Sequence, residues 1–247
     1  MQNHQEFTSQ LQQVMMQEYI ALDMTKNPFT NNPEILSPEQ LGYSLVQYSL
    51  FTKTVAGLLS NVQETAQKYE WEELRQELAR NIGQELGSET KGVSHYDMLI
   101  DGLRQVYPKA ELCSPSRVTI ALDKALTSIT LDSHLPYASG AAYALECSAI
   151  PELHVVKSLI EKLSLIETGQ KALPHVLQEF FQGHLQSWEP SHEAGIRTTT
   201  EQYIFRPSLQ ASFEHGFRDL LTTMDEWWIG LYGEVKSLQT QLEKKKK

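Results

Sequence analysis

The chain has 247 residues and a formal charge of −10 spread along its length, enough for one full hydrophobic core, and no Pro/Gly/Ser-rich linker divides it. Its lysines and arginines form no stripe suited to a phosphate backbone. No run reaches the roughly 20 apolar residues of a membrane span, and the N-terminus lacks a basic region followed by an apolar one. Nucleic-acid binding, membrane insertion and export are therefore disfavoured. The two cysteines, Cys113 and Cys147, are too few for a disulfide framework or a Cys-rich zinc site, so a reducing cytoplasm is the expected location.

Apolar residues recur at helical spacing nearly everywhere. Phe7, Leu11, Val14, Met15 and Leu22 mark the first segment, and "TKNPFTNNPEIL", with two prolines, reads as a loop. Ser37 as N-cap, Pro38 in the first turn and Gln40 three residues after the cap then predict a helix start, continued by Leu41, Leu45, Tyr48, Phe51, Val55 and Leu59. Further helices are predicted over 70–87, over 95–107 with Pro108 as the stop, over 116–132, 134–149, 151–167 and 173–189, and from 207 to 243. Strand alternation, internal repeats and sustained heptads are missing. The expectation is an all-α, single-domain bundle of seven or more helices over residues 1–247. The Trp227–Trp228 pair is assigned to packing, and the closing "EKKKK" to a solvated helix end.

Three stretches place imidazoles beside carboxylates. In "NIGQELGSETKGVSHYDML", Glu85 and His95 are ten residues apart, about 15 Å on an ideal helix and too far to share an ion. Gly87 and Gly92, however, bracket a polar "SETK" insertion that can loop out and let the two converge, with Glu89 as an alternative carboxylate or a solvated one. In "AAYALECSAIPELH", Glu146 stands among small and apolar residues, where a carboxylate needs a basic or cationic partner; Pro151 should kink or restart the helix. In "FFQGHLQSWEPSHEAG", His184 and Glu189 are five apart, while Glu189 and His192 share a helical face. A π-turn would absorb the extra residue, and Pro190, which offers no N–H to the Gln186 carbonyl, is a local cause for one. Three carboxylates and three imidazoles without a thiolate suit iron or manganese in a helical bundle, whereas His4, His134, His154, His175 and His215 have no such company.

At these residues the chain resembles the haem-oxygenase-like diiron oxidases, and within them the CADD-like proteins, including a cyanobacterial family of unknown function. The resemblance spans most of the chain and implies a haem-oxygenase-like fold. The family pattern places a Glu and a His on one core helix, a Glu on the next and His-x3-Asp-x2-His on a third. It implies Glu85, His95, Glu146, His184, Glu189 and His192 as metal ligands, Glu146 bridging. The third motif departs from the pattern: Trp188 stands where the family has Asp, and the carboxylate, Glu189, comes one residue later. The resemblance implies two Fe(II) ions per chain, with manganese an option at one site, and O2-dependent oxidation of a small, amino-acid-like substrate. Arg197 and Arg206 are candidates to clamp the substrate carboxylate. A homodimer is allowed. Two rival expectations are a metal-free enzyme like thiaminase II or pyrroloquinoline quinone synthase, with Cys147 as its nucleophile, and a non-enzymatic helical binding protein.

Overall fold

Ser37 N–H donates to Gln40 Oε1 (2.9 Å) and the Gln40 amide donates to Ser37 Oγ (3.3 Å), closing the capping box that opens a helix at Pro38. The structure, a computed structural model, describes residues 4–31, 36–108 and 114–245. Within them the order is α1 (His4–Glu18), a 3-10 turn (Ile20–Leu22), α2 (Pro28–Asn31), α3 (Pro38–Thr52), α4 (Val55–Lys68), α5 (Glu72–Glu85), α6 (His95–Val106), α7 (Arg117–Thr130), α8 (Leu135–Thr168), α9 (His175–Gly183), a π-helical turn (His184–Trp188), α10 (Glu189–Glu201) and α11 (Pro207–Lys245). No strand occurs among the described residues, so the all-α expectation holds. Cys113 and part of the proline-containing loop lie outside them.

Four boundaries depart from the sequence reading. The helix expected to run from Leu41 through Leu59 breaks between Thr52 and Val55. There Thr52 Oγ1 bonds the Ser49 carbonyl and Thr54 Oγ1 the Phe51 carbonyl (both 2.8 Å), local bonds that compete with the helical ladder. The loop before Ser37 contains one helical turn, because the Asn27 side chain accepts from the Phe29 amide and donates to the Ala21 carbonyl. The segment from 173 to 189 becomes α9 plus the π-turn. Pro151, finally, does not end its helix: α8 runs unbroken from Leu135 to Thr168. One lost backbone bond is outweighed by burial on both sides of it, where Tyr143, Ala144, Val155, Val156, Ile160 and Leu163 are fully enclosed.

Helix α8 is the axis of the molecule. It packs along α11 and is also touched by α3, α4, α6, α7 and α10. Small residues let the two long helices come close: a Cβ added to Gly140 would run into the Phe213 carbonyl oxygen, and one added to Gly216 into that of Tyr137. Trp227 and Trp228, on α11, are both buried, against Tyr48 of α3. Gly216→Ala should therefore destabilise by about 1–3 kcal/mol or more. Gly233→Ala, on an open face of the same helix with no atom near the added methyl, should stabilise by up to about 1 kcal/mol. Urea unfolding followed by circular dichroism compares the two.

Candidate metal centre

The loop between α5 and α6 does what its glycines allow. Gly87 (φ 100°), Lys91 (φ 58°) and Gly92 (φ 85°) take left-handed conformations that turn the chain back on itself. Glu85, last residue of α5, thereby meets His95, first residue of α6, with Oε1 3.0 Å from Nδ1. Glu89 stays exposed on the loop and accepts from the Gln84 side chain, its solvated alternative.

The third stretch forms the expected π-turn: the Glu189 amide donates to the His184 carbonyl, five residues back, and Pro190 follows without an N–H. The extra residue is absorbed, and His184, Glu189 and His192 turn to one side. Glu189 stands between the two imidazoles, Oε1 3.8 Å from His184 Nε2 and Oε2 3.7 Å from His192 Nδ1. Trp188, displaced outward, stacks on His95 (4.5 Å between ring centroids) and meets His184 edge-on, closing the cluster on that side.

Glu146 comes from α8 and is 4% exposed, with Oε2 3.2 Å from His192 Nδ1. Two sets of side chains bring ligand atoms within 4.8 Å of one another: Glu85 with His95 and His184, and Glu85 with Glu189 and His192. Glu85 belongs to both sets, and Glu146, the carboxylate expected to bridge, lies beside the second set on His192.

Hydrogen bonds fix two of the rings. His184 Nδ1 lies 2.7 Å from the Phe180 carbonyl, which can only accept, so Nδ1 carries the proton and Nε2 offers its lone pair to the cluster. Burial and then the neighbouring His95 hold His184 well below the usual imidazole range, so it is neutral. His192 Nε2 lies 2.6 Å from Gln84 Oε1, itself held by Arg80 (2.9 Å). That leaves Nδ1 for the carboxylates or for a cation. Gln84 escaped the sequence reading; the only signal was its place beside Glu85.

Three buried atoms at the cluster have no hydrogen-bond partner: His95 Nε2, Glu146 Oε1 and Glu189 Oε2. Unpaired buried polar atoms cost about 1–3 kcal/mol each. Imidazole nitrogen and carboxylate oxygen lining one cavity are the donor set that a divalent cation satisfies in place of protons, so the residues fit a metal. Behind them lies a small cavity of about 50 Å³, walled by Phe51, Val55, Leu145, Leu153 and Phe180 and also reached by Tyr48, Thr52 and Glu152.

Other candidates fall elsewhere. Arg197 pairs with Glu193 (3.2 Å) and Arg206 is exposed beside the Phe205 ring; neither lines the cavity, because α10 turns Arg197 toward its own preceding turn. Cys147 also misses it, opening onto a separate cleft with Met15 and Pro151, and burial pushes its thiol well above the usual range. His134 and His154 are exposed, and the exposed His175 and His215 pair with Glu179 and Asp219.

The family described as "Domain of Unknown Function with solved-structure structure (DUF3865)" matches residues 5–234. Two crystal structures of a CADD-like protein of unknown function from Nostoc punctiforme superpose with TM-scores of 0.87 and 0.85. They are 36% and 35% identical, over 94% and 95% of this chain and 98% and 96% of theirs. A TenA homolog from Pseudomonas syringae shares the fold at 16% identity and a TM-score of 0.59, over 93% of this chain and 91% of its own. A search of curated proteins returns no match.

Burial, with the Glu146 and Glu85 charges acting against the His192 hydrogen bond, pushes Glu189 up to about 8. Burial pulls His192 down, but the Glu146 and Glu189 carboxylates outweigh it and carry it up to about 10. A folded-state value above the unfolded one favours folding fully only below the unfolded value, near 4.5 for Glu189 and 6.5 for His192. It is lost as pH climbs through about 8 and about 10 respectively. The metal-free protein should accordingly melt several degrees lower at about pH 9 than at about pH 6, and saturating Mn(II) should remove most of the difference. Calorimetry with and without EDTA measures both.

Proposed function

The chain belongs to the DUF3865 family, and from that premise and the buried histidine–carboxylate cluster we propose that it is an O2-dependent, non-haem di-metal oxidoreductase acting on a small, amino-acid-derived metabolite. One observation carries the reading: His95 Nε2, Glu146 Oε1 and Glu189 Oε2 are buried without partners on residues that line one cavity. Glu85, His95 and His184 would hold one ion and Glu85, Glu189 and His192 the other, with Glu146 completing the set from α8. Bound Fe(II), with manganese an option at one position, supplies the electrons and open coordination positions needed to reduce O2.

The chain's own part is positional and electrostatic. Phe180 and Gln84 hold His184 and His192 in the tautomers that face the centre. Glu85, Glu146 and Glu189 offset most of the charge of two divalent ions. The apolar wall and the Trp188 ring keep water from the reacting substrate, which strengthens these interactions. The oxidative outcomes open to such a centre are N-oxygenation, desaturation, carbon–carbon cleavage and nitrile formation. The working partners are then the substrate and O2, in the cytoplasm, with neither nucleic acid nor membrane required and a homodimer allowed. The described residues contain no helix long and apolar enough to cross a membrane.

A metal-free reading on the same fold would need Cys147 at the cavity, and its thiol faces another cleft with its proton held tightly. Anaerobic loading with Fe(II) should leave about two irons per chain, followed by substrate-hastened absorbance changes on mixing with O2. Glu146→Ala should lose at least about half of that iron, while Cys147→Ser keeps it. Iron retained by neither protein, with activity abolished by Cys147→Ser, would sink the di-metal reading.

A further inference from the structure

Glu152 has no part in the ligand set, yet it is 2% exposed and lines the same cavity. It sits on α8 between the Pro151 position and Leu153. Trp228 Nε1, from α11, donates to its Oε1 at 3.1 Å, and no other hydrogen bond or ion pair to it is found among the described residues. Tyr48 of α3, packed on the Trp228 ring, and Thr52 complete this end of the cavity.

The chemistry of that end is lopsided. If Glu152 is ionised, a buried carboxylate holds one N–H and no cation; if protonated, its O–H has no acceptor. Burial, opposed by the Trp228 hydrogen bond, pushes it up to about 8, the mark of a carboxyl group kept without a charge partner. No lysine or arginine lines the cavity, while four carboxylates do: Glu85, Glu146, Glu152 and Glu189. An anionic group placed at the Glu152 end would gain no basic side chain there. An ammonium donates to the open oxygen, supplies the missing charge, and can rest its alkyl chain on the apolar wall.

We propose that Glu152, held in place by Trp228, is the anchoring residue for the amino group of a primary-amine substrate, whose body then extends along the apolar wall toward the metal centre. This rests on the di-metal reading for its catalytic meaning only, because the anchor is built of groups outside the ligand set and should act in the metal-free protein.

The test is calorimetric titration of metal-free protein with n-butylamine, with 1-butanol as its neutral isostere and with butyrate. The amine should bind at least about tenfold more tightly than either. Glu152→Gln, which keeps an acceptor for Trp228 and the shape of the side chain, should remove that preference while changing 1-butanol affinity less than about twofold. Unchanged melting and an unchanged iron count in Glu152→Gln would show that the fold and the ligand set are intact. Trp228→Phe should weaken the amine alone, and by less. Equal affinity for amine and alcohol, preference for butyrate, no amine binding, or a loss in Glu152→Gln shared by amine and alcohol would each overturn the assignment. Failure of the iron-loading experiment with the amine preference intact would instead fault the di-metal reading and leave the anchor standing.

Discussion

Four carboxylates and three imidazoles inside an apolar helical bundle are the constraint to which the surrounding structure answers. Each ionised carboxylate taken from water into that interior loses several kcal/mol of hydration, and packing alone returns none of it. The chain meets the deficit partly with internal pairs: Glu85 against His95, Glu146 and Glu189 against His192, Glu152 against the Trp228 N–H. The remainder shows as unpartnered atoms on residues that line one cavity, and as titration values pushed toward forms that carry less unpaired charge. A candidate metal cluster and a source of instability are two descriptions of these residues, and a bound cation would convert the second into the first.

The bundle around the cluster is built to hold it still. Helix α8 carries both Glu146 and Glu152 on a single uninterrupted element, clamped to α11 where Gly140 and Gly216 let backbone meet backbone. The two adjacent tryptophans of α11 then have distinct tasks. Trp227 donates to Thr119 on α7, and Trp228 donates to Glu152 at the cavity. On the opposite side the backbone is irregular by necessity. The left-handed residues between α5 and α6 and the π-turn before α10 each bring in a histidine or carboxylate that a regular helix would have pointed elsewhere. The π-turn and three of the five left-handed residues among the described residues fall where these side chains meet.

Trp188 illustrates how a change in the third motif is accommodated. A carboxylate one residue later than the family pattern would point away on an α-helix. The π-turn restores its direction, and the indole, now free of any ligand role, covers His95 and His184 from outside. Glu189 still lies within 4 Å of two imidazoles.

Much of this was legible in the sequence because it is local. Helical periodicity, the Ser37 capping box, the stop at Pro108, the glycine-bracketed loop and the π-turn before Pro190 each depend on neighbours a few residues away, and each is present in the structure. The grouping of these side chains was legible too, since histidines and carboxylates in odd spacings had no helical explanation and the fold brings them to one cavity. Long-range contact decided the rest. Pro151 passes unnoticed through α8 because burial on both sides outweighs one missing bond. Glu85 takes the shared position because the loop delivers it between two sets of partners, and Gln84 and Glu152 face the site because of how α5, α8 and α11 are rotated in the bundle. A sequence specifies which groups each turn of helix can present. The direction in which the helix presents them is set only when the other helices cover its remaining faces.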